Sequence, residues 1–161
     1  MNPRYFLMAT AALVAALAGC ASVSPPVSVV DRIAARPQLS TLNGLIAKAG
    51  LSDTLKGAGP FTVFAPSNEA FANVPAKTME GLAADPEKLK AMLTYHVLAG
   101  KVMVANVKNG NAKTVNGAEL ALSRAGDFVT VEDALIQAPD ISAGNGVVHI
   151  MDSVLMPPAK R

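Results

Sequence analysis

The sequence predicts an α+β domain with a mainly antiparallel sheet, and two observations support this fold class. Between Asp31 and Ala49, and again after Asp85-Pro86, apolar residues recur every three or four positions, which is the period of an amphipathic helix. From Gly100 onwards the apolar residues form short runs separated by Asn-Gly and Gly-Asp pairs, which are typical of strands joined by tight turns. Helices followed by strands favour an α+β arrangement.

The first twenty residues have the pattern of a bacterial lipoprotein signal. Met1 to Arg4 carries one positive charge, and Phe6 to Ala18 is almost wholly apolar, which matches a secretory signal and is too short for a stable membrane span. Leu17-Ala18-Gly19-Cys20 resembles the lipobox, in which the Cys receives a diacylglycerol. We therefore expect residues 1–19 to be removed and Cys20 to carry a lipid anchor. The alternative is an ordinary secretory signal that is cut nearby.

A lipid anchor at Cys20 implies that the rest of the chain lies outside the cytoplasm, in the cell envelope. Ala21 follows the Cys, and inner-membrane lipoproteins of Gram-negative bacteria tend to have Asp there, so the outer membrane is expected if the host is Gram-negative. Residues 20–30 contain Pro25 and Pro26 among several serines, which favours an extended tether. The folded domain is predicted to span residues 31–158.

The helical half has recognisable ends. Pro37 should interrupt the first helical stretch, and Gly50 should end it. The further elements predicted here are a helical turn at Ser52 to Lys56, a strand at Phe61 to Ala65, a short helix capped by Ser67 or Asn68, and a helix that begins at Asp85-Pro86. The buried face of this last helix should consist of Leu89, Met92, Leu93 and His96.

The second half should contain the sheet. The predicted strands are Val102 to Val104, Thr114-Val115, Leu120 to Leu122, Phe128 to Val131, Leu135-Ile136, Val147 to Met151 and Val154 to Met156. Pro139 lacks an amide hydrogen, so the stretch from Ala138 to Gly144 is expected to be an irregular or edge element and not a central strand.

Composition argues against several classes of function. Lys and Arg number 14 and Asp and Glu number 12, without a basic stripe, so nucleic acid is not an expected partner. Aromatic residues make up 4% and Trp is absent, which argues against a stacking platform for bases or sugars. Cys20 is the one cysteine, and no His-x-x-x-His or Cys-x-x-Cys spacing occurs, so neither a metal nor a cofactor is expected.

The two histidines lie in apolar surroundings, and we expect both to be structural. His96 continues the buried helix face, and His149 stands among Val147, Val148 and Ile150. The alternative is a catalytic or metal-binding pair. Ser67, His96 and Asp152 supply a catalytic triad by residue type, but no Gly-x-Ser-x-Gly motif is present and Ser67 is explained as a helix cap, so we do not predict an enzyme.

Three segments together resemble the conserved blocks of the fasciclin domain. They are Gly59 to Phe71 (GPFTVFAPSNEAF), Leu93 to Gly100 (LTYHVLAG) and Asn145 to Pro157 (NGVVHIMDSVLMP), in the family's order and spacing. The resemblance runs from about Val30 to Pro158. It implies a fasciclin-like β-sandwich or wedge with helices packed around one side.

The resemblance also implies a function. Fasciclin domains mediate adhesion and are not enzymes as a class, so a surface-anchored adhesion or binding module is expected, with an unknown protein or polysaccharide as its ligand. Some members carry apolar pigments. A carrier of a small apolar ligand, with a pocket lined by Met92, Met103, Met151 and Met156, is therefore one alternative, and a purely structural envelope protein is another.

The family resemblance also suggests contact residues. Animal members have been assigned integrin contacts in a Tyr-His segment and at an Asp-Ile pair before the last block, which correspond to Tyr95-His96 and to Asp140 and Ile141. The residues flanking Asp140 and Ile141 differ from the family pattern, so integrin binding is not carried over. A more general contact role for Tyr95, Asp140 and Ile141 is expected, on an edge formed by the segment from Ala138 to Gly144, with Tyr95 nearby and Asp140 directed toward solvent. The alternative is that Asp140 caps a turn and Ile141 packs inward.

Lipidation of Cys20 can be tested by metabolic labelling with a fatty-acid analogue. The native chain should take up the label, and Cys20→Ser should not, because the thiol is the acceptor of the lipid. Equal labelling of the two proteins would contradict the assignment.

Overall fold

The structure, a computed structural model, describes residues 26–158, and the first part of this range is helical. The predicted signal peptide and Cys20 lie outside the described residues. Within the described range the α-helices are α1 (Val29–Ala34), α2 (Ser40–Lys48), α3 (Ser52–Lys56), α4 (Asn68–Ala72), α5 (Ala76–Ala84) and α6 (Pro86–Tyr95). Short 3-10 helices occupy Pro37–Leu39 and Val104–Asn106. None of the described helices is long and apolar enough to cross a bilayer.

The helix ends lie where local sequence signals place them. The Ser67 hydroxyl oxygen accepts a hydrogen bond from the Ala70 amide at 3.2 Å and caps α4. One carboxylate oxygen of Asp85 accepts from the amides of Glu87 and Lys88 at 3.1 and 3.2 Å and caps α6. The predicted buried face of α6 is confirmed. Helix α5 was not expected: none of its residues is fully buried, and its contact with the core is made by two partly buried side chains, Met79 and Leu82.

Seven strands form one sheet that nearly closes into a barrel. They are β1 (Phe61–Pro66), β2 (Val97–Ala99), β3 (Gly110–Lys113), β4 (Glu119–Ala125), β5 (Phe128–Val131), β6 (Ala134–Ala143) and β7 (Gly146–Met151). Their order is β2-β1-β7-β6-β5-β4-β3, and every pair is antiparallel except β1 and β7. A bridge between Leu98 and Thr114 links the two edge strands. The predicted α+β class, with helices packed against a wedge-shaped sheet, is confirmed.

The strand directions give the sheet two rims. The loops at one rim connect β2 to β3, β4 to β5 and β6 to β7, and the described chain also begins there, because the Gly144 amide donates to the Val27 carbonyl at 2.7 Å. We call this the N-terminal rim; it contains residues 26–28, 57–60, 100–109, 126–127 and 144–145. The opposite or distal rim contains the turns at 114–118 and 132–133 and the C-terminal segment 152–158.

The second half of strand β6 agrees with the expectation of an irregular or edge element. The strand has ten residues and lies between β5 and β7, but its register against β7 shifts between Ile136 and Ala138 and again between Ala138 and Ile141. Pro139 lies within these bulges, where a missing amide hydrogen costs no ladder bond. The pairing of β5 with β6 ends at Leu135, so the Pro139 region has a partner strand on one side.

Three strand predictions were wrong. Val102 to Val104 is irregular, because its amides bond to side chains and not to a strand: the Val102 amide donates to the Thr62 hydroxyl and the Val104 amide to the Asp140 carboxylate. Thr114 forms one isolated bridge, and the strand lies before it at Gly110–Lys113. Val154 to Met156 is not a strand.

The boundary between tether and domain also needs correction at residues 28–30. Ser28 and Asp31 form a capping box at the start of α1, with the Ser28 amide donating to the Asp31 carboxylate at 3.0 Å. Val29 and Val30 are buried in the core, at 0% and 5% exposure. The tether prediction relied on the prolines and overlooked the capping box of Ser28 and Asp31. A capping box followed by apolar residues is a signal for the start of a helix. The folded domain therefore includes Ser28.

The core has two parts, one on each face of the sheet. The first lies between the helices and the outer face of β1, β6 and β7, and contains residues such as Ile33, Leu42, Leu89, Val148 and Ile150. The second fills the interior of the near-barrel and contains Phe64, Tyr95, Leu120, Val131 and Met151. Alternate residues of β1 and β7 therefore pack into different cores, which explains why both strands are buried along their length.

Gly146 is required where β7 begins, and we expect Gly146→Ala to destabilise the domain. A Cβ atom there would overlap the carbonyl oxygen of Phe61 on the parallel partner strand. Overpacking of this kind costs about 1–3 kcal/mol. Gly81→Ala is the matched control, since a Cβ at Gly81 meets nothing within 4 Å and α5 should gain about 0.5–1 kcal/mol from Ala. Urea unfolding of the two variants should show opposite shifts, and equal shifts would contradict the close approach.

Candidate functional site

Asp140, one of the predicted contact residues, is largely engaged within the protein. One of its carboxylate oxygens accepts a hydrogen bond from the Val104 amide at 2.9 Å, and its own amide donates to Nδ1 of His149 at 3.0 Å. Its φ of 56° lies in the left-handed region, which Asp tolerates better than most residues. The side chain keeps 35% of its surface exposed. Asp140 therefore serves as a cap for the loop that contains Val104.

His149 is buried beside Asp140 and is held as the neutral Nε2–H tautomer. Nδ1 accepts from the Asp140 amide, so Nε2 carries the hydrogen that is donated to the Val102 carbonyl at 2.8 Å. The ring stacks on Phe64, with 5.7 Å between the ring centroids. Burial lowers the pKa of His149, and the Val102 carbonyl and the Asp140 carboxylate oppose that shift. At neutral pH the His149 ring is therefore uncharged, and it connects strand β6 to the loop that contains Val102.

The β2–β3 loop, residues 100–109, is fixed across the N-terminal rim by four side chains. His149 and Asp140 hold Val102 and Val104, as described. The Thr62 hydroxyl donates to the Gly100 carbonyl at 2.6 Å and accepts from the Val102 amide at 2.8 Å, and Arg124 donates to the Ala105 carbonyl at 2.8 Å. Sequence reasoning did not single out Thr62 or Arg124. A polar residue within the apolar strand Phe61 to Ala65 was the available signal for Thr62.

His96 occupies a second buried position at the end of α6. It is 2% exposed, Nδ1 donates to the Met92 carbonyl at 2.8 Å, and Nε2 accepts from the Leu155 amide at 3.0 Å. Burial is the main cause that lowers the pKa of His96 to about 4, against the Met92 carbonyl, which favours the charged form. The ring ties the C-terminal segment to α6, which supports the predicted structural role.

Tyr95 is not available as a surface contact. It is 3% exposed, and its hydroxyl lies 3.3 Å from the Glu119 carbonyl and 3.4 Å from a carboxylate oxygen of Glu132. Burial raises the pKa of the Tyr95 phenol, and Glu132 adds to the shift. Because α6 turns this side chain into the near-barrel, at the distal rim, the structure does not bring Tyr95 together with Asp140. The prediction that the two form one edge was wrong.

Ile141 is half-buried and packs against the core on the helix side of the sheet. This geometry favours the alternative in which Ile141 packs inward and Asp140 caps a turn. A contact role for these two residues remains a prediction that the geometry does not test.

The arrangement of Ser67, His96 and Asp152 does not form a catalytic triad. Both ring nitrogens of His96 bond to the main chain, so neither is free to take a proton from Ser67. Ser67 caps α4, and Asp152 accepts from the Leu135 amide at 2.9 Å. Among residues 26–158, no group of three or more His, Cys, Asp or Glu side chains is placed to hold a metal ion.

A cavity of about 500 Å³ lies at the distal rim. Its lining residues are Tyr95, Glu119, Glu132, Asp133, Ala134, Ser153, Val154, Leu155, Met156 and Pro158. Pockets for apolar ligands are lined mainly by apolar and aromatic side chains with few polar groups. Three carboxylates in this lining therefore do not favour the apolar carrier, and of the methionines proposed for such a pocket only Met156 reaches the cavity.

Phe128 is a surface feature that sequence reasoning missed. It follows the two-residue turn at Gly126-Asp127 and is 68% exposed, the largest exposure among the bulky apolar residues that the structure describes. Val129 and Val131 point into the near-barrel, so strand alternation places Phe128 outside. That alternation, together with the adjacent turn, was the available signal.

The sequence matches the family model of the fasciclin domain over residues 37–157, which is most of the chain and all but the first helix of the described domain. This chain belongs to the fasciclin domain family. The three blocks of resemblance lie at β1–α4, at α6–β2 and at β7, so they coincide with the parallel strand pair and the two buried histidines.

Similar proteins occur in Synechocystis and in Mycobacterium bovis. Protein sll1483 of Synechocystis is 38% identical over 140 residues, covering 86% of this chain and 78% of that protein. Immunogenic protein MPB70 of Mycobacterium bovis is 39% identical over 76% of this chain, and cell surface glycolipoprotein MPB83 of the same species is 39% identical over 77%. The chain spans 65% and 58% of the length of these two mycobacterial proteins.

The fold also has a solved counterpart. The FAS1 domain pair of the insect cell adhesion molecule Fasciclin I superposes with a TM-score of 0.64, covering 81% of this chain and 51% of that chain at 15% identity. At this level of identity the likeness shows the fold.

The neutral histidines predict that the domain loses stability in acid. Between pH 6.5 and about 4 the unfolded chain protonates His96 while the folded protein keeps it neutral, so the free energy of unfolding should fall with decreasing pH, by up to about 1.4 kcal/mol per pH unit. Burial of His149 adds to the loss in the same direction. Urea unfolding at a series of pH values measures the slope.

His96→Gln separates this titration from that of the carboxylates. The variant should be less stable at pH 7, because a buried hydrogen-bond partner is lost, but its stability should fall less steeply between pH 6.5 and 4. An unchanged slope would show that His96 is charged in the folded state or does not contribute.

Proposed function

We propose that this chain is a non-enzymatic binding module, anchored by lipid at Cys20 outside the cytoplasm, that mediates adhesion by binding a protein or a polysaccharide. The observation that carries the proposal is the fasciclin match over residues 37–157, together with a relative named as a cell surface glycolipoprotein. The signal-like residues 1–20 support a location in the cell envelope, and in the outer membrane if the host is Gram-negative.

The way in which the polar residues are used supports a binding role over a catalytic one. The ring nitrogens of both histidines form hydrogen bonds with main-chain atoms. Among the described residues, all buried side-chain nitrogen and oxygen atoms have hydrogen-bond partners. Catalytic groups usually need a free acceptor or donor that is directed at the substrate. Here these groups hold the β2–β3 loop and the C-terminal segment in place.

Adhesion can be tested in the source bacterium. Deleting the gene should lower the attachment of cells to one another or to a surface, and the native chain should restore it. The Cys20→Ser chain should fail to restore attachment, because it lacks the lipid that holds the module at the surface. Full attachment of the deletion strain, or equal rescue by both chains, would overturn the proposal.

The carrier alternative has a separate readout. Native mass spectrometry of the protein purified from its own host should show the mass of the lipidated polypeptide alone. A co-purifying apolar molecule would favour the carrier and would count against a module that acts by surface contact.

A further inference from the structure

The chain enters the folded domain at the N-terminal rim, close to the proposed lipid anchor. Five residues lie between Cys20 and Pro26, and the six steps from one Cα atom to the other span at most about 20 Å. The Val27 carbonyl bonds to the Gly144 amide, and the Val29 amide donates to the Asn145 side chain at 2.8 Å, so the start of the domain is fixed to the β6–β7 turn. If Cys20 is in the bilayer, this rim lies within reach of the membrane surface.

The same rim carries two exposed apolar side chains. Phe128 stands at the tip of the β4–β5 hairpin with 68% of its surface exposed, and Val27 is 44% exposed. Phe, like Trp and Leu, is typical of the apolar faces of proteins that lie on a membrane, where such side chains are buried at the boundary between headgroups and acyl chains. A hairpin tip can enter that layer without disturbing its own strand pairing.

The two rims differ in the charges they carry. Beside the N-terminal rim, Lys101 and Lys108 are exposed in the β2–β3 loop, and Arg124 lies in β4 just before the 126–127 turn. The acidic residues there are Asp127 in that turn, Asp140 in β6 and Asp31, whose carboxylate bonds to Ser28. Among the described residues, the distal rim and the strand ends beside it carry Glu119, Glu132, Asp133 and Asp152 with Lys113. The exposed lysines of the β2–β3 loop therefore favour contact with an anionic lipid surface, whereas the carboxylates of the described distal rim oppose it.

Contacts across the N-terminal rim show that these features lie on one continuous surface. Val104 donates through its amide to Asp140, and its carbonyl accepts from Arg124 at 3.4 Å. Arg124 also donates to the Gly126 carbonyl, in the turn before Phe128, at 3.0 Å. Consecutive hydrogen bonds therefore connect Asp140 in β6, through Val104 and Arg124, to the turn before Phe128.

We propose that the N-terminal rim docks on the anionic lipid headgroups of the membrane that holds the anchor, with Phe128 inserted and Lys101, Lys108 and Arg124 above the headgroups. This inference rests on the proposed anchoring at Cys20. Docking orients the molecule: the distal rim, with its acidic cavity, faces away from the membrane and is presented to a partner. In this orientation Asp140, which bonds to the β2–β3 loop, lies on the side of the domain that faces the membrane.

The absence of Trp from the chain allows a direct test with a single fluorescent reporter. The full lipidated protein is reconstituted in vesicles of phosphatidylcholine with or without phosphatidylglycerol, carrying either Phe128→Trp or Val115→Trp. Val115 is the matched control, since it is 43% exposed in the 114–118 turn, at the opposite end of β4. Asp127→Trp is a second reporter in the same hairpin turn if Phe128→Trp disturbs folding.

In vesicles with phosphatidylglycerol, the F128W reporter should be quenched by brominated phospholipid and should be several-fold less sensitive to acrylamide than V115W. Adding Lys101→Glu and Lys108→Glu should restore acrylamide quenching, since each basic residue near an anionic surface contributes about fivefold in affinity. Lys113→Glu, at the distal rim, should leave the F128W signal unchanged.

Equal acrylamide quenching of the F128W and V115W reporters in anionic vesicles would overturn the docking proposal. So would protection of F128W that survives the double charge reversal, because the basic residues would then have no part in it. Fatty-acid labelling of the same preparations reads the anchor separately. A labelled protein with an accessible F128W reporter contradicts the docked rim alone, whereas an unlabelled protein contradicts the anchor.

Discussion

The side chain of Asn145 connects the parts of this fold that the chain order keeps apart. Its amide nitrogen donates to the carbonyls of Leu55 and Gly57 at 2.7 and 2.8 Å, and its amide oxygen accepts from the Val29 amide. Its own carbonyl accepts from the Phe61 amide at 3.0 Å. The end of α3, the start of α1 and the start of β1 are therefore all attached to the first turn before β7. The following residue, Gly146, leaves the space in which Phe61 can approach, and the parallel pairing of β1 with β7 depends on both.

The features that could be predicted from the sequence are those set by neighbours along the chain. Ser67 and Asp85 cap helices through amides two or three residues away, and the spacing of Leu89, Met92 and Leu93 shows one buried face. The features that could not be predicted depend on partners far apart in sequence. Val102 and Val104 are apolar enough for a strand, but side chains 40 and 36 residues away, Thr62 and Asp140, take their amides.

The candidate site shows the same division. Burial of His96 and His149 followed from their apolar neighbours, whereas the identity of their hydrogen-bond partners depended on how the β2–β3 loop and the C-terminal segment return to the sheet. Tyr95 was misplaced because the family resemblance supplied its role but not its direction. Tyr95 lies beside the apolar stripe of α6 and not within it, so helix periodicity did not decide its direction, and in the structure the near-barrel encloses it.

The bridge between Leu98 and Thr114 has a consequence for a protein held at high density on a surface. Sheets that end in open strands offer unpaired amides and carbonyls to neighbouring molecules, and this is a route to aggregation. In this domain the terminal strands β2 and β3 have three and four residues, and the bridge turns them towards each other. If the domain is anchored as proposed, copies side by side meet through side chains and not through main-chain pairing, so crowding does not extend the sheet from one molecule to the next.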